Sequence, residues 1–403
     1  MIKQTQTKMF DFSDVDLDFC AGSKNRFPAV FKKMLSAGYN PQTANAVTIL
    51  GSQITLTYGV NHGYVADRVL QVMATGGFNK EVYIDSVTSS TVTCTVPDGI
   101  TAGLTGVINT KIASLGWDIV YEVGNIHVYK MKHIDDTDMY VRMCFQDAID
   151  AARNCIAIGI GRTVDLTTGF ITDSNCIDDL KNCMNVASAT SNIRWDFTQS
   201  TSRLFDNFTY SQGYATFGKG VIVGSPYHLI LGYHNSSDSK NSVVSGIFPF
   251  QSVYAVLDYP ILFAQNNGVP DVSGDTGQLG RAIAYIGKTA VVFHNSDIHL
   301  LQRNFSNNSF LPASIDGFNT TTCLSLPVYT SVEKQYVGHC QGGVYQACYD
   351  ATNCPALGYQ ASPAMTTDVD FTANVFTHYL RDGGNNTSTA WLVFAVEEIK
   401  HGP

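Results

Sequence analysis

Residues 46–57, AVTILGSQITLT, place two short runs of alternating apolar residues on either side of a Gly-Ser pair. Val47 and Ile49 alternate before the pair, and Ile54 and Leu56 alternate after it. An apolar residue at every second position is the period of a β-strand with one buried face, and Gly-Ser is typical of a turn between paired strands. The stretch therefore predicts two neighbouring strands of a β-rich fold.

The same alternation continues and predicts a compact antiparallel β module over residues 44–114. Turn residues separate its runs, as expected where consecutive strands reverse direction. No residue in the module is poised for chemistry, so it indicates architecture and association rather than a reaction. The further apolar positions are Tyr58, Val82, Ile84, Val92, Cys94 and Val96, with turns at residues 59–63, 76–77, 89–90 and 97–99.

Residues 1–43 precede the module as an acidic arm followed by a short helix. Pro28 suits the first turn of that helix and Gly38 suits its end. The arm alternates acidic and apolar residues, which fits an extended segment that adds a strand to a neighbouring chain, although a frayed terminus fits equally well. The helical stripe consists of Phe27, Val30, Phe31, Met34 and Leu35, and the arm contains Phe10, Asp11, Phe12, Asp14, Asp16, Leu17 and Asp18.

Residues 115–403 predict a larger β-rich domain of short strands separated by polar turns. Two alternating runs flank Gly124-Asn125, which is a hairpin signal. Residues 147–158 fit helix and strand equally, and residues 176–184 have the apolar spacing of a helix. Further strands are predicted at residues 139–145, 214–223, 227–233, 253–263, 282–293 and 391–399.

Together these patterns predict a mainly β chain with a few short helices (α+β). It combines a small antiparallel β module with a larger, irregular domain that resembles a β-sandwich. The predicted division is residues 1–43 for the arm and helix, 44–114 for the module and 115–403 for the larger domain.

Composition describes a well-packed protein with an unusually neutral surface. The 403 residues are 44% hydrophobic and only 15% charged, which suits a protein with permanent neighbours. A net charge of −9 argues against a general nucleic-acid binder, because such proteins carry a basic face. No apolar run approaches the roughly 18 residues of a membrane helix.

The 10 cysteines are interpreted as reduced, because the polar start of the chain lacks a signal peptide. Cys94, Cys144 and Cys155 lie in apolar runs, where a thiol acts as a small hydrophobe. Three further cysteines are close enough in sequence for a bridge or a metal site, but the chain has no Cys-x-x-Cys pair, so a buried role is favoured and pairing stays open. They are Cys340, Cys348 and Cys354.

The sequence contains only incomplete versions of known catalytic and ligand-binding motifs. Gly287-Lys288-Thr289 resembles the end of a phosphate loop, but Ala282 stands where its leading glycine belongs, so a strand with a turn is favoured. Gly159-Ile160-Gly161 lacks a third glycine. We therefore expect no catalytic, cofactor-binding or metal-ligating residue and no enzymatic activity. The weaker candidates are a cation site at His133, Asp135, Asp136 and Asp138, for which a solvated turn is favoured, and the pair His294 and His299.

A set of segments follows in a fixed order along the first part of the chain: FPAVFKKMLSAGY (27–39), AVTILGSQITLT (46–57), His62-Gly63-Tyr64, Asp67, GFNKEVYIDSVTSSTVT (77–93), Pro97-Asp98-Gly99 and Leu115-Gly116-Trp117. In this order they resemble virion structural proteins of tailed bacteriophages. The C-terminal strand WLVFAV (391–396) also resembles the end of that family. The resemblance covers roughly residues 1–150 and implies a place near the neck, tail or baseplate of the particle, with no catalytic residues to transfer.

The resulting hypothesis is a structural component of a tailed-phage virion, assembled in the bacterial cytoplasm. Its expected partners are other virion proteins at the neck, collar, portal-proximal region or tail, and copies of itself in a symmetric homo-oligomer, with no nucleic acid, membrane or cofactor. The alternative is a host-surface glycan binder or a receptor-binding fibre or baseplate protein, since aromatic-rich β domains with polar loops suit sugars. A cytoplasmic enzyme ranks third.

Overall fold

The chain folds mainly into antiparallel β-sheets, as the sequence predicts. Among the described residues, no helix has the length and apolar character needed to cross a bilayer. The predicted domain boundaries stay predictions. The structure is a computed structural model, and it describes residues 3–21, 26–146, 154–186, 193–198, 209–211, 219–234, 242–265, 282–295, 301, 323–347, 355–356, 358–368, 371–381 and 389–400.

The N-terminal arm forms a strand, β1 (Lys8–Asp11), which pairs antiparallel with Val221–Ser225 of the same chain. Of the two alternatives, the extended segment is present, but its strand is added to the chain's own sheet rather than to a neighbouring chain. Phe10 and Phe12 are fully buried. Burial of two aromatic side chains provides the hydrophobic stabilisation that holds the arm in place.

The predicted helix is present as α1 (Phe27–Lys32), continued by a π-helical turn over Lys33–Ala37. Pro28 lies in its first turn, and Gly38 ends it with a φ of 74°, a conformation that favours glycine. All five residues of the predicted apolar stripe are buried in the main core. The helix therefore packs between the arm and the sheets.

A buried ion pair fastens the arm to the β module. The guanidinium of Arg68 donates two hydrogen bonds of 2.8 Å to the Asp14 carboxylate, and the Tyr39 hydroxyl donates a third at 2.6 Å. Burial, followed by the charge of Asp14, raises the pKa of Tyr39, so the hydroxyl stays protonated. The contact joins three segments that are distant in sequence.

The β module is one antiparallel sheet of seven described strands, and the predicted alternation is correct over most of it. Ile54, Leu56, Ile84 and Cys94 are fully buried on one face. In spatial order the sheet is β2-β8-β5-β6-β7-β4-β3. The strands are β2 (Tyr39–Ala44), β3 (Ala46–Leu50), β4 (Gln53–Thr57), β5 (Val69–Ala74), β6 (Asn79–Val87), β7 (Thr91–Thr95) and β8 (Ile108–Ile112).

A second antiparallel sheet follows, with five described strands in the order β15-β12-β11-β10-β9. The hairpin predicted around Gly124-Asn125 joins β9 to β10, and the predicted strand at residues 139–145 is β11. Residues 147–153 of the ambiguous segment lie outside the described residues, and the rest is strand. The strands are β9 (Asp118–Val123), β10 (Ile126–Lys132), β11 (Asp138–Phe145), β12 (Asn154–Gly161) and β15 (Arg194–Thr198), with a small hairpin of β13 (Val164–Asp165) and β14 (Phe170–Ile171).

The helix predicted over residues 176–184 is wrong, because this segment forms consecutive turns. Its apolar spacing still buries Cys176, Leu180 and Cys183. The segment is instead held by contacts with distant residues. Arg142 on β11 donates to the Cys183 carbonyl at 2.6 Å, and the Ile171 backbone N–H donates to the Lys181 carbonyl at 3.0 Å.

The largest sheet contains ten described strands and curls into a half-barrel. In spatial order β18 is the fourth strand of this sheet and β19 is the last. In sequence the two strands are separated only by Pro249, so the curl of the sheet brings its last strand close to its fourth. The order is β1-β16-β17-β18-β20-β21-β22-β24-β25-β19. The further strands are β16 (Val221–Ser225), β17 (His228–His234), β18 (Ser242–Phe248), β19 (Phe250–Ser252), β20 (Ile261–Gln265), β21 (Ala282–Ile286), β22 (Thr289–Val292), β24 (Pro327–Thr330) and β25 (Tyr336–Cys340).

Two strand predictions in this sheet are corrected. The segment 253–263 is strand only from Ile261, after a 3-10 turn at Ala255–Leu257, because the chain must reverse between β19 and β20. The segment 282–293 is a hairpin of β21 and β22 rather than one strand. The predicted strand at residues 227–233 is β17, whereas residues 214–218 of another prediction lie outside the described residues.

The remaining sheet packs face to face on the large one and gives the predicted sandwich-like arrangement. β18 lies against β28, and a Cβ added to Gly232 on β17 would lie 2.5 Å from the Phe394 ring. The two sheets therefore approach closely. Five described strands form this sheet in the order β23-β26-β29-β28-β27: β23 (Cys323–Ser325), β26 (Val344–Ala347), β27 (Ala364–Asp368), β28 (Ala373–Arg381) and β29 (Thr389–Ala395).

Candidate functional site

Strand β3 forms an uncovered apolar edge of the module. Among the described residues it pairs only with β4. Val47 and Ile49 lie opposite Leu56 and Ile54, so they share the face on which those two residues are buried. Ile49 nevertheless remains 44% exposed and Leu50 78% exposed. The sequence predicted a buried face for Val47 and Ile49. Val47 is half-buried and packs against the main core, whereas Ile49 is exposed, so the prediction is wrong for Ile49.

The two edges of the seven-stranded sheet differ in chemistry. The opposite edge, β2, carries Pro41, which lacks an N–H and therefore disfavours pairing with a further strand. Strand β3 contains no proline and no charged residue. Alternate backbone N–H and C=O groups of an edge strand point away from its single neighbour. β3 therefore has the composition of a strand that accepts another chain, and no other described strand pairs with its outward backbone groups.

A second exposed apolar surface lies at one end of the large sheet. Val253 and Val256 are exposed in the loop after β19, and Val332 is exposed between β24 and β25. The backbone N–H of Val253 donates to the Val337 carbonyl at 3.0 Å, which holds the two segments together. Exposed apolar residues on neighbouring segments can contribute to a protein contact surface.

A polar cleft of about 410 Å³ opens where the two chain termini meet the smaller sandwich sheet. The Tyr345 and Phe371 rings line one side with their centroids 4.7 Å apart. The side chain of Gln6 exchanges two hydrogen bonds with the backbone of Ile399, which holds the terminal segments beside the cleft. Polar lining comes from Gln4, Gln341, Thr372, Glu397, Glu398 and Lys400.

Glu397 is held in one orientation at this cleft. Its Oε1 accepts hydrogen bonds from the Gly343 backbone N–H and from the Tyr345 hydroxyl, both at 2.7 Å. Gly342 and Gly343 have φ values of 90° and 73°, and a Cβ on Gly342 would lie 3.0 Å from Oε1. The two glycines thus permit the close approach of the carboxylate. Burial, followed by the charge of Glu397, raises the pKa of Tyr345, which keeps the hydroxyl a donor.

The sequence candidates for chemistry are dispersed in the structure. Residues 133–137 form the turn between β10 and β11. His133 in this turn contacts Asp258 at 3.1 Å, and Asp138 at the start of β11 pairs with Lys132 at the end of β10 at 2.6 Å. Gly287-Lys288 is the turn between β21 and β22, and Gly159 lies within β12. The described part of the chain contains no group of three or more His, Cys, Asp or Glu side chains that would hold a metal ion.

The buried role proposed for the cysteines is confirmed for Cys94, Cys144 and Cys155, which are fully buried and form no disulfide with another described cysteine. Cys340 is also buried and free, but Cys348 and Cys354 lie outside the described residues, as does His299. The sequence did not predict that the Cys144 and Cys183 thiols contact each other. This contact, followed by the nearby charge of Arg142, lowers the pKa of Cys183 despite its burial.

The cleft also went unpredicted. Its lining comes from segments distant in sequence, and only the Gly342-Gly343 pair gave a local signal of a close backbone approach. Comparison with protein-family models, curated proteins and solved structures finds no match to this chain. The exposed edge β3 and the polar cleft are therefore the features that bear on function.

Proposed function

We propose that the chain is a structural component of a tailed-bacteriophage virion that binds other protein chains at the head–tail neck, collar or tail. The observation that carries the proposal is the exposed apolar edge strand β3. The assignment to a phage particle comes from the resemblance of residues 27–117 to virion proteins of that kind.

Binding would proceed by addition of a strand. A partner strand beside β3 satisfies the outward backbone groups and covers Val47 and Ile49, continuing the sheet across the interface. Full burial of an aliphatic side chain of this size contributes about 1.5–3 kcal/mol relative to full exposure. Ile49 and Leu50 together supply part of that energy, and the loop surface at Val253, Val256 and Val332 provides a second contact.

The same geometry supports a symmetric assembly. β1 is already paired within its own chain, so β3 replaces the arm as the segment that reaches a neighbour. Because β3 is uncharged, two copies meet there without repulsion. We propose a homo-oligomer within the virion, in contact with neck or tail proteins.

The proposed structural role is tested by locating the chain in the phage particle. Purified virions of the phage that encodes the chain should contain it by mass spectrometry, and a cryo-electron microscopy map should show its large curled sheet near the head–tail junction or in the tail. Absence of the chain from purified particles would refute the proposal.

A substitution on β3 tests the surface. Ile49→Lys should abolish incorporation into particles assembled from a complemented deletion phage, because a charge replaces the side chain that a partner strand covers. The matched control is Leu166→Lys, at an exposed leucine in the turn between β13 and β14. Both substitutions are at exposed positions, so each should change the free energy of unfolding by less than about 1 kcal/mol. Equal incorporation of the two variants would show that β3 is not the contact.

A further inference from the structure

We propose that the cleft beside Glu397 is a binding site for a neutral, hydroxyl-rich ligand, a saccharide unit. This function goes beyond the proposed structural role and does not depend on it. The site lies on the sandwich end of the molecule, whereas β3 lies at the edge of the module.

The cleft has the size of a small-molecule site. Its volume of about 410 Å³ falls in the range of roughly 300–1,000 Å³ that is usual for ligand pockets. Its lining combines the apolar side chains of Phe371 and Val396 with the polar side chains of Gln341 and Thr372. This mixture matches a sugar ring, whose C–H faces are apolar and whose edges carry hydroxyl groups.

Glu397 supplies an oriented acceptor. Its Oε1 already accepts two hydrogen bonds, and the structure assigns Oε2 no hydrogen-bond donor among the described residues. A ligand hydroxyl can therefore donate to Oε2 without breaking an existing bond. Because the carboxylate is held in place before binding, little conformational entropy is lost when the ligand arrives.

The aromatic pair supplies the apolar wall. Tyr345 and Phe371 are both half-buried, so their ring surfaces are partly available in the cleft. The interplanar angle of 54° leaves the rings tilted rather than stacked on one another. An apolar ring face beside a carboxylate gives a hydroxylated ring one surface to pack on and one group to bond.

The charges at the site favour a neutral ligand. Lys400 offsets one of the two carboxylates, Glu397 and Glu398, so the lining carries a net charge near −1. Phosphate or sulfate groups would be repelled by the two acids. A polyamine would bind the acids but would also meet the Lys400 ammonium, so a cationic ligand is the rival outcome of the test.

The test uses the full chain and ligand-observed saturation-transfer NMR. The probes are D-glucose, D-galactose, N-acetyl-D-glucosamine and L-rhamnose, with spermidine as the cationic probe. At least one saccharide should receive saturation from the parent protein. Glu397→Gln keeps an oxygen for the bonds from Gly343 and Tyr345 but replaces the outward acceptor with a donor, and should weaken binding about 10-fold, equivalent to about 1.4 kcal/mol.

Matched variants decide the outcome. Glu333→Gln makes the same change at an exposed site outside the cleft and should leave saccharide binding unchanged. Phe371→Leu keeps an apolar side chain but removes the aromatic face, and it provides a second cleft variant if Glu397→Gln does not fold. The proposal is refuted if no saccharide binds, if only spermidine binds, or if the folded cleft variants bind as well as the parent.

Discussion

The buried contact between Asp14 and Arg68 predicts a large loss of stability when its cation alone is removed. Arg68→Met keeps much of the side-chain volume but leaves the Asp14 carboxylate buried without its charged partner. Asp14 is 7% exposed and Arg68 is 6% exposed, so water compensates little. The carboxylate would keep the Tyr39 hydroxyl at 2.6 Å and the Asp11 backbone N–H at 3.2 Å.

The magnitude follows from this geometry. Removing one partner of a buried, bidentate ion pair typically costs about 3–5 kcal/mol, mostly because the remaining charge is left unpaired. Replacing both partners removes that unpaired charge, so Asp14→Asn combined with Arg68→Met should cost at least about 1.5 kcal/mol less than the sum of the single changes. The contact would then be strongly coupled.

Urea unfolding followed by tryptophan fluorescence measures these free energies by linear extrapolation. Hydrogen exchange adds a local measurement, because amides of Lys8–Asp11 should exchange faster in Arg68→Met if the contact holds the arm. The control is Lys80→Met, which breaks a 2.6 Å pair with the half-exposed Asp98 and should cost less than about 1 kcal/mol.

Two results would refute this reasoning. One is a cost for Arg68→Met no larger than that of Lys80→Met. The other is simple additivity in the double variant, which would mean that the two side chains act independently.

Two further stability predictions follow from close packing and buried histidine. Gly232→Ala should cost about 1–3 kcal/mol, because the new Cβ would lie 2.5 Å from the Phe394 ring; thermal unfolding should show no comparable loss for Gly358→Ala, where no atom lies within 4 Å. Burial lowers the pKa of His228 to about 3, so the unfolded chain binds a proton below about pH 6.5 that the folded chain does not. Stability should therefore fall as pH decreases from about 6.5 towards 3, by about 2 kcal/mol at pH 5 from this residue alone, and urea unfolding at pH 7 and pH 5 should show a smaller decrease in His228→Gln.

Local patterns predicted much of the secondary structure correctly. The alternation around Ile54 and Leu56, the turn at Gly124-Asn125 and the helix that ends at Gly38 are all present. Each of these signals is contained within a few neighbouring residues. Where a distant group intervened the prediction was wrong, as at residues 176–184, where Arg142 binds the backbone.

The candidate sites were less predictable. Val47 and Ile49 have the same alternation as Ile54 and Leu56, which are fully buried, yet Val47 is only half-buried and Ile49 is exposed. The difference arises because β4 lies inside the sheet and β3 lies at its edge. The alternation of apolar residues within a strand does not predict the position of that strand in the sheet. The cleft is similar, since Tyr345, Phe371 and Glu397 come from three separate segments.

The amino-acid sequence alone determined that this protein is built mainly from β-strands, where most of its first strands and its helix lie, and that Cys94, Cys144 and Cys155 are buried. Tertiary structure decided that the arm pairs with Val221–Ser225, which apolar strand remains uncovered, and that a carboxylate and two aromatic rings share one cleft. The physical reason is range: periodicity and turn chemistry act between near neighbours in the chain, whereas coverage and site geometry depend on contacts between residues far apart in it.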